Sequence, residues 1–135
     1  MWVSPEINTY AAENLLVRNI RARFPAEAKL TDQWLVERGW DPTEQAGIAY
    51  IWVEAFADRT TEAIKRRDVA SVQAQTAYLA EQYRTFPDAL HAIVDVAYAE
   101  NIMWDASNEE KAWAWKFIAL EIQQLYEEMW GNPTK

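Results

Sequence analysis

A chain of 135 residues, half of them hydrophobic and a quarter charged, has the make-up of one globular domain with a single sizeable core, and residues 1–135 are read as one domain. Thirteen basic against 21 acidic residues leave a net charge of −8, which repels phosphate backbones and anionic lipid and argues against nucleic acid or a membrane surface as ligand. The absence of cysteine excludes disulfides, thiolate metal sites and a cysteine nucleophile; with no export-type leader in MWVSPEINTY and no apolar run near the ~20 residues that span a bilayer, the expected location is the cytoplasm.

Three glycines among many Ala, Leu, Glu and Gln residues predict an all-α fold, a compact antiparallel bundle of five to six helices. Ser4-Pro5 and Asp41-Pro42 each set a capping residue before a proline suited to the first helical position, and in DPTE Glu44 completes a capping box. Helix one is expected over 5–24, with Ala12, Leu16, Ile20 and Phe24 at fourfold spacing and Pro25 ending it. A shorter helical segment around Trp34, Leu35 and Val36 is closed by Gly39. Helix three, over 42–67, buries Ile48, Ile51, Trp52, Ala55, Phe56 and Ile64 and turns Tyr50, Glu54 and Asp58 the other way. The KRRD run ends it with basic residues at the negative pole of the helix, and Asp68 caps helix four, over 69–86, whose apolar stripe is Val69, Val72, Thr76, Leu79, Tyr83 and Phe86. Helix five follows Pro87 to about Trp104; Ser107, with Glu110 three residues on, opens helix six, which Gly131 and Pro133 close.

At 100° per residue helix five divides into two faces. Asp88, His91, Asp95, Tyr98, Ile102 and Asp105 fall on one stripe; Ala89, Ile93, Val96, Ala97 and Trp104 lie opposite, with Glu100 in their midst and Asn101 beside it. Glu100 is therefore expected to be buried and held by an arginine of helix one, a Trp N–H, a Tyr hydroxyl or a helix start, as a structural strut rather than a catalytic acid. Its removal is expected to cost about 1–3 kcal/mol.

Catalytic patterns are missing. The Glu-x-x-His motif of helical dimetal sites would be needed twice, and the chain has one histidine, in the DALH of residues 88–91. His91 has Asp95 one turn away but no serine in a G-x-S-x-G setting, and no phosphate-cradling glycine loop occurs. Glu109 and Glu110 read as helix-start caps. The expectation is a non-enzymatic chain without cofactor or metal.

Eight tryptophans are mostly core fillers, with Trp113 and Trp130 expected on the surface. In helix six Trp115, Ile118, Ile122, Leu125 and Met129 make the deep stripe, widened by Phe117 and Leu120. From residue 87 onward, with Glu100 set aside, eight acids face three lysines, a net of −5. The helix-five stripe (Asp88, His91, Asp95, Tyr98, Asp105) continued by Glu109, Glu110 and the apolar anchor Trp113 forms a candidate surface for a basic protein partner, with Glu54 on helix three remote from it.

The order of features over residues 42–130 is a hairpin through RRD, an apolar helix carrying Tyr-x-Glu-Asn-Ile-x-Trp (Tyr98 to Trp104), an acidic break and a Trp-rich last helix ending in YEEMW. It resembles a bacterial family of small acidic helical proteins grouped with immunity proteins of polymorphic toxin systems. The resemblance implies a stoichiometric inhibitor that binds a cognate, basic toxin and blocks its active site or substrate access. A helical adaptor or chaperone for a secreted effector would share these features.

Overall fold

Helix-forming stretches separated by prolines, glycines and capping residues give seven α-helices and one π-helical run in the computed structural model, which describes residues 9–43 and 47–135. The helices are α1 (Thr9–Arg23), α2 (Pro25–Glu37), α3 (Ile48–Lys65), α4 (Val69–Thr85), α5 (Pro87–Ala92), the π-helical run (Ile93–Ala99), α6 (Asn108–Trp115) and α7 (Leu120–Trp130). The all-α class agrees with the sequence, and no strand occurs among the described residues; the five to six expected helices become more because two of them break. The Ser4-Pro5 start, Trp2 and the Glu44 capping box lie outside the described residues.

Ala12, Leu16 and Ile20 of α1 are buried, as their fourfold spacing requires, and burial of each larger side chain contributes about 1.5–3 kcal/mol. Pro25, whose missing N–H is no loss at a helix start, opens α2 directly after Phe24. Asp32 of α2 then joins three helices. Its carboxylate accepts two hydrogen bonds from Arg21 of α1, at 2.6 and 2.7 Å, and one from the indole N–H of Trp52 of α3, at 2.8 Å. The Arg21 guanidinium also lies 4.9 Å from the centroid of the Trp52 ring. This is the polar anchor of α1, and it leaves Arg21 committed to Asp32 rather than to Glu100.

Helix α3 starts later than the Asp41-Pro42 pair suggests. Asp41 accepts hydrogen bonds from the backbone and side chain of Thr43, a local turn that competes with helix, and α3 begins only after Gly47, whose φ of +77° favours glycine. From there α3 is the central helix, packed against α1, α2, α4, α6 and the π-helical run. It turns at Arg67, and Asp68 caps α4 by accepting from the Ser71 N–H at 3.1 Å, as its sequence position indicates.

The predicted helix six is divided at residues 116–119. The Ala119 N–H donates to Thr76 Oγ1 of α4 at 3.1 Å, and Gln123 Nε2 donates to the Trp115 carbonyl at 2.6 Å, so groups released by the break find partners. The division also turns Leu120 and Met129 outward, 63 % and 52 % exposed, against the expectation that they line the core. Trp115, Ile118, Ile122 and Leu125 remain buried.

The larger departure is in helix five. After α5 the backbone widens into the π-helical run, with the Glu100 N–H reaching the Asp95 carbonyl five residues back at 3.0 Å. Leu90, Val94, Tyr98 and Ile102 recur every four residues; on an α-helix such a row drifts about 40° per step, and the wider turn offsets that drift. All four are buried, against α3 and its neighbours. Tyr98 and Ile102 are therefore core residues and not part of an exposed stripe, while Val96 and Trp104, expected inside, are 42 % and 67 % exposed.

Two threonines of α3 hold this run in place. Thr60 donates to Gln75 Oε1 at 2.7 Å and accepts from the Tyr98 hydroxyl at 2.8 Å; burial holds that phenol well above its ordinary pKa, fully protonated as donor. Thr61 Oγ1 donates to the Ile102 carbonyl at 2.7 Å. Asn101 closes the end, its side-chain N–H groups donating to the carbonyls of Val96 and Ala97 at 3.0 and 2.9 Å. Asn101, expected to be buried, is half-buried.

Candidate functional site

The residues expected to form one acidic stripe separate into two groups. Asp88 is exposed at the start of α5; one turn on, His91 Nδ1 lies 3.0 Å from the Tyr83 hydroxyl and its Nε2 lies 3.7 Å from Asp95. At the far end Asp105 pairs with Lys65 at 2.7 Å and Glu109 with Arg67 at 3.7 Å, while Glu110 forms the capping box with Ser107 predicted from their spacing. Trp113 is half-buried, packed on Phe117 with ring centroids 5.0 Å apart and covered by the Arg67 guanidinium at 4.9 Å. The chain's own basic residues thus occupy the second group, and the buried Tyr98 cannot join either.

Glu100 is half-buried, not fully buried, and its side chain has no hydrogen bond or ion pair; its backbone carbonyl is the group that is used, accepting from the Trp130 indole N–H at 3.0 Å. Burial first, and then the nearby Asp95, hold its carboxyl above the ordinary value. A carboxyl with a raised folded pKa binds more protons folded than unfolded between the two values, so its contribution falls as pH rises through that window. Glu100→Gln is therefore expected to hold or raise stability at neutral pH and to flatten the loss above the unfolded carboxylate range. Denaturant titrations at pH 4 to 7 test it; a loss of about 1 kcal/mol or more at neutral pH would restore the strut.

Exposed aromatic area concentrates elsewhere. Trp104, in the turns after the π-helical run, and Trp130, last residue of α7, have ring centroids 6.4 Å apart and are 67 % and 52 % exposed. Trp104 lines a cleft of about 230 Å³ together with Glu100, Met103, Lys111, Tyr126 and Trp130, and a second, of about 380 Å³, together with Trp34, Glu54, Ala55, Asp58 and Asn101. Around them the acids are close enough to act on one another. Burial followed by the charges of Glu100, Glu13, Glu54 and Asp95 raises the Tyr50 hydroxyl's pKa, and burial raises that of Asp58, with Asp105, Glu62 and Glu54 adding to it and Arg59 opposing. Glu54 thus belongs to this face, not to a remote surface.

The result is an all-α domain whose outer face sets a tryptophan pair in a field of carboxylates. Residues 17–131 match the model of a family described as a domain of unknown function, DUF7674, and the chain belongs to that family. None of the curated proteins matches the chain, and none of the solved structures does. No helix among the described residues is long and apolar enough to cross a membrane, and no group of three or more His, Asp or Glu residues gathers there as a metal site.

Trp104 falls inside only if α-helical periodicity continues through residue 104, and it does not. The fourfold row Leu90, Val94, Tyr98, Ile102 is the signal that would have found it: with that row inside, Trp104 faces out.

Proposed function

We propose that this chain is a cytoplasmic immunity protein, a stoichiometric inhibitor that binds a cognate basic toxin and blocks its active site or substrate access, acting by binding rather than by catalysis. The observation that carries this reading is the exposed Trp104 and Trp130 pair among acids such as Glu54, Asp58 and Glu100 that have no salt bridge. Tryptophans anchor protein interfaces, and a surrounding negative field steers a basic partner and repels nucleic acid and anionic lipid. The Tyr98 to Trp104 signature supports the same reading through its resemblance to immunity proteins.

Co-expression with the product of the adjacent reading frame tests it. The expected result is full relief of toxicity at equimolar amounts and a one-to-one complex without residual toxin activity. A partner that is stabilised or delivered while its activity persists would replace the immunity reading with that of an effector chaperone or adaptor.

A further inference from the structure

We propose that the cleft between Trp34 and Trp104 receives an arginine side chain of the protein partner. This rests on the protein-binding reading and adds the chemistry of one contact to it. Three helical segments meet there: Trp34 comes from α2, Glu54, Ala55 and Asp58 from α3, and Asn101 and Trp104 from the turns after the π-helical run.

The polar groups of the cleft call for a cation with several donors. Glu54 and Asp58 have neither a hydrogen bond nor a salt bridge, and the Asn101 amide spends its N–H groups on the Val96 and Ala97 carbonyls, which leaves its oxygen as a further acceptor. Apart from the two indole N–H groups, the polar side chains lining the cleft offer acceptors. Glu54 and Asp58 belong to no group of three or more metal-ligating side chains among the described residues, and two of the residues lining the cleft are tryptophans, which ligate no metal; a planar guanidinium carries five N–H donors and two faces that stack on aromatic rings. Burial raises the Asp58 carboxyl above its ordinary pKa, Arg59 opposes the rise and Asp105, Glu62 and Glu54 add to it, so an incoming cation meets a surplus of negative charge.

Trp34 already shows the contact. The Arg38 guanidinium lies 3.8 Å from its ring centroid, held there by a hydrogen bond from Arg38 to the Trp34 carbonyl at 3.1 Å. Arg38 itself does not line the cleft. Lysine would satisfy the charge but not the planar fork and the stacking. The volume of about 380 Å³ is at the small end for ligand sites, in keeping with one side chain rather than a folded element.

The probe is N-acetyl-arginine amide, titrated at constant ionic strength while the indole N–H signals of Trp34 and Trp104 are followed by NMR. A saturable shift of both signals with a Kd on the order of 10 mM is expected, as suits one side chain without its protein. Nα-acetyl-citrulline amide, which keeps the shape and loses the charge, and Nα-acetyl-lysine amide should each bind at least about tenfold more weakly. Glu54→Gln with Asp58→Asn should weaken arginine amide by a similar factor with an unchanged circular dichroism melt; should that pair fail to fold, Trp104→Ala, at an exposed position, removes one wall alone and should have the same effect.

Absence of a saturable shift, equal binding of citrulline or lysine, or indifference to whichever folded variant is used would each overturn the assignment. The toxin reading is tested separately. Arginine binding with failed neutralisation would leave the cleft standing without the toxin, and neutralisation without arginine binding would leave the toxin reading without this contact.

Discussion

Tyr98→Ala is expected to lower stability by about 3–5 kcal/mol. The ring is fully buried, stacked on Phe56 with centroids 6.3 Å apart, and its removal leaves a cavity against α3. It also unlinks the hydroxyl chain through Thr60 to Gln75. Tyr98→Phe separates the two effects: it keeps the ring, and Thr60 still donates to Gln75, so its cost should be about 1 kcal/mol. Urea unfolding of both variants measures the difference. An alanine variant within about 0.5 kcal/mol of wild type would return Tyr98 to the surface and with it the exposed stripe.

Trp104→Ala, at a position 67 % exposed, is expected to leave the fold intact and weaken the proposed complex with a basic protein partner by about 2 kcal/mol or more, roughly 30-fold in Kd. Most of that change should be faster dissociation, because a desolvated anchor acts after encounter. Glu54→Lys should instead slow association and reduce its sensitivity to salt, since it reverses charge in the field that steers a basic partner. Asp88→Lys, at the exposed start of α5, makes the same change in net charge away from the tryptophan pair and is the control. Binding kinetics at two ionic strengths distinguish these outcomes. Trp113→Ala serves as the counter-test: its ring is already covered by Arg67, so it should cost less than Trp104→Ala. The reverse order would put the interface at the start of α6.

Much of the helical plan is legible in the sequence because it depends on local chemistry. Pro25 just past α1, Asp68 before α4, the Ser107 and Glu110 capping box and Gly131 at the end of α7 act through backbone groups within a turn of themselves, and the structure keeps each of them. The candidate site was less legible. Trp130 is on the surface, as its place among polar residues indicates; uniform α-helical periodicity puts Trp104 inside, whereas the widened helix five turns it out beside Glu54, and Arg67 covers Trp113.

By itself, then, the sequence determined the all-α class, the acidic surface and most helix starts and stops, since propensity, charge and capping are properties of short segments. Only the tertiary structure decided the π-helical run and the break before α7. Both leave backbone groups in need of partners, and those partners come from distant or looped-back side chains: Thr61 of α3 for the Ile102 carbonyl, Thr76 of α4 for the Ala119 N–H, and Asn101 turned back on its own helix. A widened turn is sustained where such contacts and the burial of Leu90, Val94, Tyr98 and Ile102 outweigh the regular α-helical ladder, and that balance places Trp104 in solvent.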